Sequence, residues 1–151
     1  MKRRNLIAIV IMIAITGSLS TLFTSCKSGK NIGLQLYSIR DSINKDVPAA
    51  IEKVAKMGYT FVEPAGYRDG KFYGMDPVAF KELCEKNGLF VLSSHTSRPL
   101  PDSANYAETM AWWETAIDAH LAAGAKFIVQ PSMGGSAYQS IANLKKWCDY
   151  F

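Results

Sequence analysis

One imidazole, one carboxylate and two carboxamides stand where apolar runs end in this sequence. His95 closes the run in "GLFVLSSH", Glu63 closes "YTFVE", Gln35 lies in "NIGLQLYSIR", and Gln130 closes "KFIVQ" with Ser132 two residues on. Tyr37 and Arg40 follow Gln35 and add a phenol and a guanidinium. An imidazole can move a proton between neighbouring carbons or oxygens near neutral pH. Side chains that donate and side chains that accept suit a polyhydroxylated ligand, because every hydroxyl does both. His95 and Glu63 are the candidate acid/base groups; Gln35, Tyr37, Gln130 and Ser132 are the candidate substrate contacts.

Each has a bland alternative. His95 between Ser94 and Thr96 also reads as a hydrogen-bonded structural histidine. Glu63 binds a substrate hydroxyl, supports a metal-bound ligand, or pairs with Arg40 or Arg68. Tyr67, Tyr73 and Trp112 either stack on sugar faces or pack loops and helix surfaces. His120, within a helical pattern, reads as packing or solvent contact. A catalytic metal site needs about three protein ligands, and no close cluster of His, Asp and Glu appears, so no metal ligand is assigned to this chain. Gly134–Gly135 either cradles an anion on backbone amides or forms a flexible loop.

The elements that must position these groups follow one repeating plan: amphipathic helix, glycine stop, apolar strand, polar tip. In "AAIEKVAKMGYTFVEP", Val47, Ile51, Val54 and Ala55 fall at helical spacing behind Asp46, an N-cap residue. In "DPVAFKELCEKNGLFVLSSH", Asp76 caps, Pro77 fits the first turn, and Phe80, Leu83 and Cys84 form the inner face. In "ETMAWWETAIDAHLAAGAKFIVQPS", Trp113, Ile117 and Leu121 are expected to line one face. Gly58, Gly88 and Gly124 stop the three helices and lie 30 and 36 residues apart. A strand precedes the first helix, and a fourth helix, Tyr138 to Phe151, follows the last strand with Ile141, Leu144, Cys148 and Phe151 as its expected apolar stripe. The order βαβαβαβα implies parallel strands joined by crossover helices. The last helix keeps its period to the final residue without a stop signal. The expectation is α/β: the first four units, or half, of a (β/α)8 TIM barrel, with an open four-stranded sheet as the alternative.

The first residues are of another kind. Lys2, Arg3 and Arg4 precede the apolar run Leu6–Ile15, and small and polar residues lead to Cys26. That is the pattern of a secretory signal, and the cysteine after small residues resembles a bacterial lipobox, with Phe23 at the usual leucine position. The expected organisation is a signal peptide over 1–25, a lipidated tether over 26–31 beginning at Cys26, and the barrel half over 32–151. The protein is then expected to be exported and membrane-anchored on the periplasmic or cell-surface side. Three of the 17 basic residues and none of the 13 acidic ones precede Cys26, which leaves a mature balance of +1. No basic stripe remains to recruit nucleic acid. Cys84 and Cys148 sit in helical patterns beside apolar residues and read as buried free thiols.

Taken together, "IGLQLYSIRD", "MGYTFVEPAGY", "GLFVLSSHTS" and "AGAKFIVQPSM" resemble the N-terminal half of the xylose isomerase-like TIM-barrel family, the sugar phosphate isomerases/epimerases. The resemblance runs from about Ile32 to Phe151. It implies a full barrel that binds a divalent metal (Mn, Mg, Co or Zn) and moves a sugar proton through an enediolate. The family's metal ligands come mainly from later strands, so the resemblance implies a fragment that is inactive alone. What carries over is His95 and Glu63 as proton-relay or substrate groups, with Gln35, Tyr37 and Gln130 as contacts. Rival readings are a lyase or dehydratase on keto-sugars or keto-glycosides, and a non-catalytic lipid-anchored carbohydrate-binding protein. An apurinic endonuclease is disfavoured by the export signal, the near-neutral charge and Gln130. Two open sheet edges predict self-association.

Overall fold

The computed structural model describes residues 30–151; the expected signal peptide and Cys26 lie outside the described residues. The chain runs β1 (Gly33–Gln35), a 3-10 turn (Leu36–Ile39), α1 (Arg40–Ile43), α2 (Val47–Lys56), β2 (Phe61–Glu63), β3 (Tyr67–Arg68) and β4 (Lys71–Phe72). It continues through α3 (Pro77–Lys86), β5 (Phe90–Val91), β6 (Ser93–His95), α4 (Tyr106–Ala122), β7 (Phe127–Val129), a second 3-10 turn (Gly135–Gln139) and α5 (Ile141–Tyr150). β1, β2 and β5 pair in parallel in that order, and β6 pairs in parallel with β7.

β5 and β6 are two parts of one strand interrupted at Leu92. The Leu92 N–H donates to the Val62 carbonyl, and the Leu92 carbonyl accepts from the Lys126 N–H. The third strand is thus handed from its left neighbour to its right neighbour, and the four strands form one parallel series. The interruption also shifts the alternation of side chains. Val91 is buried in the helix-side core, whereas Ser93 reaches Glu63 and His95 reaches Gln35 on the opposite face. Ser94, one residue further, is again buried on the helix side, bonded to Thr96. Without the extra residue at Leu92 the 2.0 period would turn His95 toward the helices.

The helix-side core gathers Leu36, Ile51, Val54, Val62, Phe80 and Cys84, all buried. Asp46 accepts from the Ala49 N–H, and Asp76 accepts from the Val78 and Ala79 N–H groups, so both expected N-caps form. The three helix-stop glycines have positive φ, as their placement required.

The inner face has two layers by register. Gly33, Phe61 and Phe90 lie side by side beneath Gln35 and Glu63. The Phe61 and Phe90 rings stand 5.5 Å apart. The Phe61 ring lies over Gly33 so closely that a Cβ there would meet it at 1.8 Å.

Several expectations fail. The first strand ends at Gln35, so Tyr37 falls in the 3-10 turn and Arg40 opens α1 rather than forming strand tips. Ser38 Oγ donates to the Gln35 carbonyl at 2.6 Å and turns the chain there. An antiparallel hairpin, β3–β4, was not anticipated; its turn residues Asp69 and Gly70 both have positive φ. On α4 the buried residues are Thr109, Ala116, Ala119 and His120, while Ile117 is half exposed and Leu121 is 73% exposed. The residues buried there are small or polar, and the bulky apolar residues Ile117 and Leu121 are left on the outer side. On α5 only Trp147 is buried; Ile141 is 87% exposed, and Cys148 is exposed instead of buried. Cys84 is buried as expected, and both thiols are free.

Candidate functional site

The structure brings Gln35, Glu63, Ser93 and His95 together at the C-terminal ends of the parallel strands. The Gln35 amide Nε2 lies 3.0 Å from His95 Nδ1. Neighbouring strands lie roughly 4.8 Å apart, and β1 and β6 are separated by β2, so this bond spans two strand spacings. Ser93 Oγ donates to Glu63 Oε2. The His95 N–H donates to the Pro64 carbonyl at 2.8 Å, and the Thr96 N–H donates to the Val129 carbonyl at 3.0 Å. The backbone that carries the imidazole is therefore held from both sides.

Among the described residues no arginine pairs with Glu63; Arg98 bonds Glu108, and Arg40 lies over the Tyr37 ring. Ser93, found next to Glu63, is the residue sequence reading missed; its signal was the double serine before His95.

The remaining candidates sit elsewhere. Gln130 accepts from the Arg98 N–H and donates to the Ser132 carbonyl at 2.7 Å, tying two loops together. It also lines, with Trp113, Ile128 and Tyr150, a cleft of about 280 Å³ between α4 and α5. Ile128 pairs with Ser94, a helix-side residue, so this cleft lies on the helix side of the sheet. Ser132 and Tyr37 are exposed and do not join the four-residue cluster. Tyr73 is packing: its hydroxyl accepts from the Ala65 N–H, and burial pushes it up to about 12. Tyr67 packs on Trp112 and His120. Trp112 also carries the Arg98 guanidinium over its ring.

His120 is buried behind the site. Its Nδ1 lies 2.5 Å from the Ala116 carbonyl, and its Nε2 lies 2.8 Å from Thr96 Oγ1. Burial lowers its pKa below the ordinary 6.5, only partly opposed by the Ala116 hydrogen bond. It anchors the residue that follows His95. Among the described residues no three His, Cys, Asp or Glu side chains gather to hold a metal ion.

No family model matches the chain, and no curated protein matches it. Solved structures do. A sugar phosphate isomerase/epimerase from Parabacteroides distasonis ATCC 8503 is 33% identical with TM-score 0.71, over 82% of this chain and 48% of that one. A second sugar phosphate isomerase/epimerase structure from the same organism is 30% identical with TM-score 0.73, over 85% of this chain and 47% of that one. The chain has the fold of half a xylose isomerase-like TIM barrel. A xylose isomerase-like TIM barrel/4-hydroxyphenylpyruvate dioxygenase fusion protein shares this half-barrel fold at TM-score 0.55 and 15% identity, over 80% of this chain and 20% of that one. The chain spans about half the length of the two sugar phosphate isomerase/epimerase structures it matches. Its strands end at the rim where barrels of this kind bind ligands.

Proposed function

We propose that this chain supplies one wall of the substrate cavity of a sugar isomerase or epimerase. The observation that carries the reading is the cluster of Gln35, Glu63, Ser93 and His95 at the strand ends, above a floor of Phe61 and Phe90. An apolar floor with a few convergent polar groups is the usual make-up of a small-molecule site. Glu63 keeps Oε1 to accept from a sugar hydroxyl, while Ser93 holds Oε2. His95 lies on the same inner face and, on this reading, exchanges a hydrogen bond or a proton with the neighbouring sugar oxygen. The two Parabacteroides structures named as sugar phosphate isomerases/epimerases support the substrate class. A divalent metal, when bound, would polarise a carbonyl and acidify the adjacent C–H; its ligands are assigned to strands outside this chain. The 151-residue chain is inactive by itself on this reading.

The test is solvent-deuterium incorporation into a sugar C–H position by the intact barrel, across ketoses and keto-glycosides. Exchange is expected, and His95→Ala should lower turnover at least about 100-fold with an unchanged melting temperature. Tight sugar binding without exchange would identify a carbohydrate-binding protein instead, and unchanged turnover in the variant would return His95 to a structural role.

We also propose that Cys26 is the acylated residue that anchors the protein to a membrane. Labelled fatty acid should enter the wild type and not Cys26→Ser; labelling of both would reject the assignment.

A further inference from the structure

We propose that Gln35 is a positioning residue that holds neutral His95 in the tautomer protonated on Nε2, which makes the imidazole a hydrogen-bond donor toward the ligand. The Gln35 Nε2 is an amide nitrogen and can only donate. It lies 3.0 Å from His95 Nδ1. With the amide nitrogen facing it, that ring nitrogen accepts, and the single proton of the neutral ring sits on Nε2. Among the described residues Nε2 has no hydrogen-bond partner, so its N–H is free for a ligand oxygen.

Gln35 is itself fixed. It is the last residue of β1, in register with Glu63, and its carbonyl accepts from Ser38 Oγ. The His95 backbone is clamped through Pro64 and Val129. Both side chains therefore start from backbones that are held in place.

The other histidine of the chain has the opposite arrangement. His120 Nδ1 faces a carbonyl, which can only accept, so Nδ1 carries the proton and Nε2 accepts from the Thr96 hydroxyl. One chain with two histidines thus holds them in two different tautomers, each dictated by its partner.

This has a consequence for the ligand, which rests on the sugar-cavity reading; the tautomer itself does not. A neutral ring with Nε2–H cannot ligate a metal through that nitrogen, and Nδ1 is occupied. His95 then recognises an oxygen acceptor, such as the carbonyl of a keto-sugar, and Glu63 takes the neighbouring hydroxyl.

The experiment is a long-range spectrum correlating ring protons with ring nitrogens, on the full 15N-labelled chain at about pH 8, where ordinary imidazoles are neutral. The two histidines should show opposite patterns: Nε2–H for His95 and Nδ1–H for His120. A proton on Nδ1 of His95 in the unaltered chain would overturn the proposal without any variant. Gln35→Glu offers a carboxylate that can only accept, so it should draw a proton onto His95 Nδ1 and change its pattern. Gln35→Leu should give averaged tautomers. The His120 pattern should stay fixed in both and so report folding. A His95 pattern unmoved in folded Gln35→Glu would also overturn the proposal. Sugar turnover plays no part in these outcomes, so failure of the sugar reading is seen separately.

Discussion

At the residue scale, the two histidines show how burial and partner decide what an imidazole does. His95 is half-buried on the inner face beside Gln35; His120 is buried between the Tyr67 and Phe72 rings. The sequence made the first visible, because a polar tip after an apolar run marks a strand end. It hid the environment of the second, because the Thr96 and Tyr67 that surround it are far away along the chain. The lowered pKa of His120 has a definite sign. Between the depressed folded value and the ordinary 6.5 the unfolded chain binds the extra proton, so stability is full above about 6.5 and falls as pH drops below it. Tyr67 faces the ring from β3 and stays neutral throughout that window, its own pKa raised chiefly by burial. Urea midpoints should decline from pH 7 toward 5, and His120→Gln should flatten that slope. An equal slope in both would assign the acid sensitivity elsewhere.

At the element scale, caps and stops were legible and faces were not. Asp46, Asp76 and the three glycines act within one turn of themselves, so local sequence suffices. The side of α4 that is buried depends on what α4 packs against, and Ala116 and His120 carry no strong apolar signal. The β3–β4 hairpin did have a signal, the Asp69–Gly70 pair between Tyr67–Arg68 and Lys71–Phe72. Residues at positive φ favour glycine, and Gly70 at φ 77° has open space where a Cβ would go. Gly70→Ala should therefore cost about 1 kcal/mol through backbone strain alone, read from chemical denaturation. A loss several times larger would mean the turn makes contacts that its open surroundings do not show.

At the scale of the whole molecule, the repeat length and the parallel order were readable because each unit repeats the same periodic pattern. The slip at Leu92 was not, since nothing in "FVLSS" marks where hydrogen bonding passes from Val62 to Lys126. The inner face of the half barrel leaves Phe90 45% and Phe127 60% exposed. Both are on the side of the sheet that carries His95, Phe90 by pairing with Phe61 and Phe127 by pairing with Ser93. Apolar surface of this kind drives association, so the 151-residue chain should sediment as dimers or larger species. Phe127→Glu should shift it toward monomer while leaving the circular dichroism of the helices intact; a wild-type chain that stays monomeric at high concentration would refute this. The crowding between Gly33 and Phe61 has a further consequence. The absence of a side chain at position 33 is what lets the Phe61 ring lie where it does: any larger residue there forces the ring, and with it the floor beneath Gln35 and Glu63, to rearrange. On the sugar-cavity reading proposed above, chains of this build that differ at that one position would differ in the shape of the floor while keeping the same polar groups.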